Sequence, residues 1–317
     1  MTRPAATLPA DSLRSALERA LEGDERVILL GGPHLAELPH ARGLAARFDG
    51  DRVIEGPDDE AALIGLARGL ALTGRRPVVD LTAGDGIARA FETLARDLAP
   101  LRYRSAGVFS APMTLLVPQG SAPGAGPDLG ATPESWLTTL PGLRVVCASA
   151  ATAPGALLEA SLDGGDPVAL LLPRDGGAPL AADDGIALDA ARVLRSGTEL
   201  TLIAYGGAVA TALDAADAAA PHAIEVLDLV SLAPIDAETL LASVARTGRA
   251  VVLQDAPRSH GVAAEVAALV AERAIEYLEA PVLRVAAPDG PAPMRLEENY
   301  RPDVARVLRA IEQVLDF

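Results

Sequence analysis

Short apolar segments alternate with amphipathic segments along the whole chain. The apolar segments are typical of buried strands, and the segments between them repeat apolar residues at the spacing of one helical face. This alternation predicts an α/β fold, in which parallel sheets carry helices on both faces. Strands are predicted at Arg26–Leu30, Pro77–Thr82, Thr114–Pro118, Leu143–Ala148, Pro167–Leu172, Glu199–Tyr205, Ile224–Leu229, Ala250–Leu253 and Val282–Ala286.

Helices are predicted in the amphipathic segments. Ile87, Phe91, Leu94, Leu98 and Leu101 share one helical face. Further helices are predicted at Pro154–Leu162, Ala208–Ala219, Asp236–Arg246, Val262–Tyr277 and Val304–Leu315. In the middle of the chain, the segment Pro173–Ser196 is rich in glycine, proline and aspartate and interrupts the alternation. We therefore predict two parallel-sheet domains, residues 1–178 and 197–317, joined by a linker at residues 179–196.

The composition excludes several classes of function. The formal net charge of −16 argues against nucleic-acid binding, which needs a basic surface. The chain has no lysine, which excludes Schiff-base catalysis by a lysine and a P-loop. No apolar run approaches the roughly 20 residues of a membrane helix, and the N-terminal segment lacks the apolar region of a signal peptide. We expect a cytoplasmic protein that does not enter a membrane.

Glu60 is the strongest candidate for chemistry, in the segment Val53–Gly74. A strand-like run and a proline turn are followed there by an acidic cluster that opens a helix. Asp58 and Asp59 either cap this helix, because free N–H groups and the helix dipole favour negative charge, or contribute to a site. Glu60 lies deeper, where burial raises the pKa of a carboxylate and suits it to proton transfer.

Ten short segments together resemble one family, the beta subunit of the thiamine-diphosphate-dependent decarboxylating component of 2-oxo acid dehydrogenase complexes. They follow the order and spacing of that family over nearly the whole chain. The resemblance implies a transketolase-like pyrimidine-binding domain followed by a transketolase C-terminal domain. The segments are Asp51–Ile54, Gly69–Leu72, Arg76–Val79, Leu101–Ser105, Pro141–Val146, Asp166–Val168, Leu200–Gly206, Val226–Leu229, Leu232–Asp236 and Ala256–Arg258.

The resemblance also implies a shared active site. In the family, thiamine diphosphate lies between two chains, and an alpha chain holds Mg²⁺ and the diphosphate. The beta chain supplies the aminopyrimidine pocket, whose glutamate matches Glu60. We therefore expect an alpha-like partner in a heterotetramer, self-association through the C-terminal domain, and no activity of this chain alone. Gly84-Asp85-Gly86 mimics the start of the magnesium motif, but the only asparagine, Asn299, is too distant, so the match is read as coincidence.

Three active-site signatures of the family are altered here. Ala83 and Gly86 stand where the family has aromatic residues beside the pyrimidine, and Leu129-Gly130 stands where it has a histidine–serine motif. The early Gly-Glu-Asp motif is Gly31-Gly32-Pro33. Ala83, Gly86 and Leu129 are therefore the expected cofactor-binding positions besides Glu60. The Gly- and Pro-rich loop Gln119–Pro133 either reaches the active site, as in the family, or is a plain surface loop.

The histidines offer a possible compensation. His34 and His40 follow the first strand, and either can replace the missing imidazole or be an exposed loop histidine. His222 is expected at the surface, and His260 either caps a helix or touches a partner chain. Cys147, the only cysteine, excludes an internal disulfide and a thiolate cluster, and is expected to be buried and structural.

Two segments give weaker signals. The turn Ser161–Asp166, with Asp163, resembles the family's loop that binds a monovalent cation such as K⁺ through backbone carbonyls, or is an ordinary turn. In Leu101–Ser105, Arg102 and Arg104 either pair with carboxylates of a neighbouring chain or end a solvated helix.

Three functions are compatible with these observations. The first is an enzyme subunit that uses Glu60 to activate the cofactor for 2-oxo acid decarboxylation or for transfer of the acyl or aldehyde unit. The second is a catalytically degenerate partner that keeps the fold and the subunit interface. The third is a self-assembled dimer with an unrelated ligand in the same cleft.

Overall fold

Two parallel-stranded sheets form the framework of the protein. The computed structural model describes residues 10–48, 50–82, 86–120, 132–174, 186–291 and 300–317. In these residues one sheet has seven strands and the other has five. The predicted α/β fold with two sheets is confirmed.

The first sheet has the order β10-β5-β6-β4-β3-β1-β2, and its neighbours are parallel except for the pair β10–β5. Its central strands are apolar and buried on both faces, as strands of parallel sheets usually are. The strands are β1 (Val27–Gly31), β2 (Val53–Glu55), β3 (Arg76–Asp80), β4 (Thr114–Gln119), β5 (Arg144–Cys147), β6 (Val168–Pro173) and β10 (Ser231–Ala233).

The second sheet has the order β12-β11-β8-β9-β7, with only β7 antiparallel to its neighbour. Its strands are β7 (Arg192–Arg195), β8 (Leu200–Ala204), β9 (Ile224–Asp228), β11 (Ala250–Pro257) and β12 (Leu283–Ala287). The strand β7 lies inside the segment predicted as linker, and the short strand β10 was also missed. The division into domains stays a prediction, because β10 follows β9 in sequence but belongs to the first sheet.

The described helices cover the two sheets. Three of them begin at an aspartate whose side chain accepts a backbone N–H of the first turn: Asp59 from Ala62, Asp236 from Thr239 and Asp303 from Arg306. The helices are α1 (Ala10–Gly23), α2 (Leu44–Arg47), α3 (Glu60–Leu72), α4 (Leu101–Arg104), α5 (Glu134–Leu137), α6 (Pro154–Leu162), α7 (Ala208–Ala218), α8 (Ala237–Thr247), α9 (Val262–Arg273) and α10 (Val304–Leu315). None of the helices in these described ranges has the length and apolar character that a membrane crossing needs.

One predicted helix is broken into three short pieces. The apolar face from Ile87 to Leu101 is divided among a 3₁₀ turn at Gly86–Ala88, a π-helical turn at Thr93–Leu98, and α4. Leu94 and Leu98 are nevertheless buried as the spacing predicts. The spacing identified the buried side chains but not the backbone that presents them.

Candidate active site

The carboxyl ends of three neighbouring strands place acidic residues around one small cavity. Gly31 of β1 pairs with Glu55 of β2 on one side and with Asp80 of β3 on the other, so these strands end at the same edge of the sheet. The cavity has a volume of about 150 Å³. Its lining comprises Gly32, Pro33, His34, Leu35, Leu38, Pro57, Asp58, Asp59, Glu60, Leu63, Asp80, Leu81 and Arg89. Ligands commonly bind at this edge of an open α/β sheet.

Glu60 is the first residue of α3, and its side chain is 13% exposed. Asp59, before it, is the N-cap, and its Oδ1 accepts the Ala62 N–H at 2.7 Å. Of the two roles left open for Asp59, the structure shows the cap, although Asp59 also lines the cavity. Because Asp59 satisfies the helix N-terminus, the Glu60 carboxylate is left facing the cavity.

Arg89 covers the Glu60 carboxylate from the opposite wall of the cavity. Its Nη2 lies 3.2 Å from Oε1 and 3.0 Å from Oε2 of Glu60. The arginine side chain is 63% exposed, so the ion pair sits at the cavity mouth. Sequence reasoning missed Arg89, since 29 residues separate it from Glu60 and it belongs to none of the motifs considered.

His40 lies behind the cavity wall and is buried, so the interpretation of an exposed loop histidine is wrong for this residue. Its Nε2 lies 2.5 Å from Oδ2 of Asp80, and both side chains are almost fully buried. The other Asp80 oxygen accepts the N–H and the hydroxyl of Thr82 at 2.9 and 2.7 Å. The imidazole thus pairs with Asp80 instead of pointing at a ligand, because burial of a carboxylate requires such partners.

His34 does line the cavity that contains Glu60. It is exposed, and its Nδ1 lies 3.6 Å from Oε1 of Glu37. Of the two histidines considered as replacements, the structure brings only His34 to the cavity. Ala83, Leu129, Gly84, Asp85 and Asn299 lie outside the described residues, and Gly86 begins the 3₁₀ turn that leads to Arg89.

A second acidic residue, Glu134, is buried where the carboxyl ends of the two sheets meet. Its Oε1 accepts the Tyr205 hydroxyl at 3.1 Å and the Gln119 amide at 3.2 Å. Its Oε2 is buried and has no hydrogen-bond partner among the described residues. Burial therefore raises the pKa of Glu134 to about 7, and the nearby charge of Asp255 adds to this shift.

The contact between the sheets is tight around Glu134. Gly206 has a φ of +60°, and a Cβ at this position would lie 3.0 Å from Sγ of Cys147 and 3.1 Å from Oε1 of Gln119. A larger residue is therefore disfavoured here both by the positive φ and by the close contacts of a Cβ atom. Cys147 is buried, as expected, and burial raises its thiol pKa well above the usual range, so it is not a thiolate nucleophile.

The turn Ser161–Asp166 resembles a cation-binding loop in sequence, but an arginine side chain donates hydrogen bonds to its backbone carbonyls. Nη1 of Arg76 donates to the carbonyl oxygens of Leu162 and Gly164, the latter at 3.0 Å. Asp163 is exposed. Cation binding at this turn stays a prediction from sequence; a guanidinium already supplies positive charge to two of its carbonyls.

We expect Arg76→Met to lower the free energy of unfolding by about 1–3 kcal/mol, because two carbonyl groups lose a charged donor. Thermal unfolding in potassium chloride and in choline chloride measures both the loss and any cation effect. The wild type should respond equally to the two salts, and the variant should gain from potassium. A potassium-specific gain in the wild type would contradict this expectation.

The remaining candidate residues lie away from the Glu60 cavity. Arg102 pairs with Asp166 of its own chain at 2.5 Å, and Arg104 donates to the Arg96 carbonyl. His222 is exposed, as expected, and lies 3.3 Å from Glu199. His260 is exposed with a φ of 59°.

Comparison with known proteins connects this arrangement to one family. The family model "Transketolase, pyrimidine binding domain" matches residues 10–177, and "Transketolase, C-terminal domain" matches residues 189–307. Among solved structures, a split-gene transketolase described as an inactive beta4 tetramer has a TM-score of 0.81 at 23% identity, covering 98% of this chain and 99% of that chain. Transketolase from Leishmania mexicana has a TM-score of 0.72 at 17% identity, covering 100% of this chain and 46% of that chain. These two structural similarities show that the chain has a transketolase-like fold.

Curated relatives match over almost their full length. Pyruvate dehydrogenase E1 component subunit beta of Leifsonia xyli subsp. xyli is 37% identical, covering 96% of this chain and 94% of that protein. The 2-oxoisovalerate dehydrogenase subunit beta of Pseudomonas aeruginosa is 36% identical with the same coverage. The 3-methyl-2-oxobutanoate dehydrogenase subunit beta of Mycobacterium tuberculosis is 37% identical, covering 96% of this chain and 90% of that protein. The chain therefore belongs to the family of beta subunits of the E1 component of 2-oxo acid dehydrogenases, built from a transketolase pyrimidine-binding domain and a transketolase C-terminal domain.

Proposed function

We propose that the chain is the beta subunit of a thiamine-diphosphate-dependent 2-oxo acid dehydrogenase or related decarboxylase, and that it supplies the aminopyrimidine side of a site shared with an alpha-like chain. The observation that supports this most is the position of Glu60. Glu60 lines a cavity at the carboxyl edge of the first sheet. By sequence resemblance, it also matches the family's glutamate that contacts the pyrimidine.

The residues around this cavity fit an aminopyrimidine ring. Glu60 offers carboxylate oxygens to a ring nitrogen or an amino group, and Leu63 and Leu81 offer apolar contact to the ring face. The volume of about 150 Å³ is smaller than pockets that enclose a whole cofactor, which usually exceed about 300 Å³. The cavity thus suits one end of the cofactor, whose thiazolium acts as an electron sink when bound.

Each side chain at the cavity has a role in this proposal. Glu60 holds a proton at the pyrimidine nitrogen, and Asp80, fixed by His40, keeps the end of β3 in place. His34, which lines the cavity, is the imidazole available to replace the family's histidine.

A partner chain holds Mg²⁺ and the diphosphate in this proposal, as the resemblance to the family implies. The assembly in this proposal is a heterotetramer. A K⁺ ion at the turn with Asp163 would first have to displace Arg76 from the carbonyl oxygens of Leu162 and Gly164.

One contact favours a second candidate, the catalytically degenerate partner. Arg89 binds both oxygens of Glu60, the group that the pyrimidine needs. If this pair persists in the assembly, the carboxylate is unavailable and the chain stabilises a complex without taking part in turnover. The pair is exposed on the arginine side, and ion pairs of that kind contribute only about 0–1 kcal/mol, so a bound ring displaces it readily.

Calorimetric titration with thiamine diphosphate and Mg²⁺ tests the proposal. We expect no heat of binding with this chain alone and saturable binding after mixing with an alpha-like chain that has an intact magnesium motif. Decarboxylation of pyruvate and of branched 2-oxo acids is then measured on the complex. A stable complex that neither binds the cofactor nor decarboxylates any of these acids would exclude the catalytic function and favour the degenerate partner.

A further inference from the structure

Two buried carboxyl groups, those of Glu134 and Asp228, join the first sheet to the second. Glu134 belongs to α5, between β4 and β5 in sequence, and its Oε1 accepts the hydroxyl of Tyr205 at 3.1 Å. Tyr205 directly follows β8 of the second sheet. Asp228 ends β9 of the second sheet, and its Oδ2 accepts the hydroxyl of Ser149, after β5, at 2.6 Å. The contact between the sheets therefore depends on the hydrogen bonds of these two carboxyl groups.

The carboxyl group of Asp228 has hydrogen-bond donors on both oxygens. The hydroxyls of Ser149 and Thr152 donate to Oδ2, and the N–H of Val230 donates to Oδ1 at 3.2 Å. Burial raises the pKa of Asp228, and these donors together with the charge of Arg192 oppose that shift. The contact at Asp228 thus keeps its partners whether or not the carboxyl group is ionised.

The carboxyl group of Glu134 differs because only one of its oxygens has a partner. Oε1 accepts both the Tyr205 hydroxyl and the uncharged Gln119 amide, whereas Oε2 is buried with no hydrogen-bond partner among the described residues. A proton therefore belongs on Oε2, where it removes the charge from the oxygen that no group donates to. Ionisation would leave a buried charge with an unsatisfied oxygen, which is costly in a protein interior.

The other groups that face Glu134 in the described part of the chain keep their charge near neutral pH. Burial raises the pKa of the Cys147 thiol and of the Tyr205 hydroxyl well above their usual ranges, so both stay neutral. Asp255 of β11 is ion-paired with Arg301 at 2.8 Å and stays negative. Burial, with the charge of Asp255 added, raises the pKa of Glu134 to about 7.

The hydrogen bonds of Glu134 also fix the base of the loop Gln119–Pro133. Gln119 ends β4 and Glu134 begins α5 directly after the loop, so the bond between them joins the two ends of the loop. Gly120 follows with a φ of +81°, and a Cβ there would lie 3.3 Å from Oδ2 of Asp255. Both ends of the loop thus contact the second sheet beside this carboxyl group.

We propose that protonation of Glu134 controls how tightly the two sheets meet at this edge. The Glu134 contact, formed by its hydrogen bonds with Tyr205 and Gln119, is closed when the carboxyl group is protonated and buried. When the group is ionised, water enters beside Oε2 and the Glu134 contact opens, while the contact at Asp228 persists. This inference does not depend on the proposed catalytic function.

The pH range of the effect follows from the pKa of Glu134 in the two forms. It is about 7 in the closed form and returns to about its usual value of 4.5 in the open, hydrated form. Below pH 4.5 both forms are protonated, and the closed form is favoured most. Between pH 4.5 and 7 opening releases a proton, so the ratio of open to closed forms rises about tenfold per pH unit and about 300-fold in all. Above pH 7 both forms are ionised and the ratio is constant.

Alkylation of Cys147 by iodoacetamide tests the proposal. Cys147 is the only cysteine and is buried between the sheets, where its Sγ lies against Gly206. We expect the wild-type rate, divided by the rate of Glu134→Gln at the same pH, to rise about tenfold per unit between pH 5 and 7 and then to level off. The division removes the pH dependence of the thiol itself. Tyr205→Phe is the matched control, because it loses one hydrogen bond but keeps the carboxyl group, so alkylation should be faster at every pH with the same slope.

Hydrogen exchange of the wild type distinguishes opening of the Glu134 contact from unfolding and needs no variant. After correction for the intrinsic pH dependence of exchange, amides of α5 should lose about tenfold protection per unit between pH 5 and 7, and amides of β6 should keep theirs. An alkylation ratio that does not change with pH would overturn the proposal. Equal loss of protection in α5 and β6 would also overturn it, since that result shows unfolding of the whole chain.

Discussion

Replacing Glu60 by glutamine in the complex with an alpha-like chain is expected to lower kcat for 2-oxo acid decarboxylation about 10²–10⁴-fold, the usual contribution of a positioned proton donor or acceptor. Glutamine keeps the shape of the side chain but cannot hold or release the proton. The N-terminus of α3 should be unaffected, because Asp59 and not Glu60 caps it. Steady-state rates and the melting temperature of each complex measure the two effects separately.

Two variants make the Glu60 experiment specific. Glu92→Gln removes the charge of an exposed glutamate that pairs with Arg96 outside the Glu60 cavity and should leave kcat unchanged. Arg89→Gln frees the Glu60 carboxylate from its ion pair and should tighten cofactor binding by up to about fivefold, which corresponds to the approximately 1 kcal/mol of such a pair. Activity that is indifferent to Glu60→Gln would exclude the catalytic role of this residue.

Glu134→Gln is expected to stabilise the protein at pH 8 and to have little effect at pH 5. In the folded chain burial raises the pKa of Glu134 to about 7 from its usual value of 4.5. Below pH 4.5 the carboxyl group is protonated in the folded and the unfolded state, and its stability contribution is fully present. As the pH rises to about 7 the unfolded chain releases the proton first, so stability falls by about 3 kcal/mol. Glutamine has no proton to release and avoids this loss.

Urea unfolding at several pH values between 5 and 8 measures the effect. The wild-type free energy of unfolding should fall with pH more steeply than that of Glu134→Gln. Tyr205→Phe is the matched control: it removes one hydrogen bond to Glu134 but keeps the carboxyl group, so it should lower stability and preserve the steeper slope. Parallel pH profiles for the wild type and Glu134→Gln would show that Glu134 does not titrate in this range.

The sequence predicted the parallel strands well because their apolar runs are continuous and bounded by turn residues. It also predicted the burial of Cys147, and it gave capping as one of two roles for Asp59, because both features depend on local neighbours. The short strands β7 and β10 were missed because their pairing, with β9 and β5, is tertiary. Neither has a recognisable run of buried apolar residues: β7 is only partly buried, and β10 consists of Ser231, Leu232 and Ala233.

The candidate site was predicted only in part, for the same physical reason. Glu60 was found because a carboxylate at the mouth of an apolar helix is visible in sequence. The contacts that determine its surroundings join distant residues: Arg89 with Glu60, and His40 with Asp80. His40 was considered a loop residue because it follows the first strand and directly follows Pro39. Only the approach of the buried Asp80 carboxylate explains why the imidazole is inside.

The antiparallel strand β10 has a consequence for how this chain can change in evolution. It follows β9 of the second sheet, yet it covers the edge strand β5 of the first. An exposed strand edge invites pairing with other chains and aggregation. A gene fusion or exchange that replaces everything after the first sheet would therefore leave β5 uncovered unless the incoming half brings its own strand in matching register. This strand therefore constrains which second halves can be joined to the first sheet.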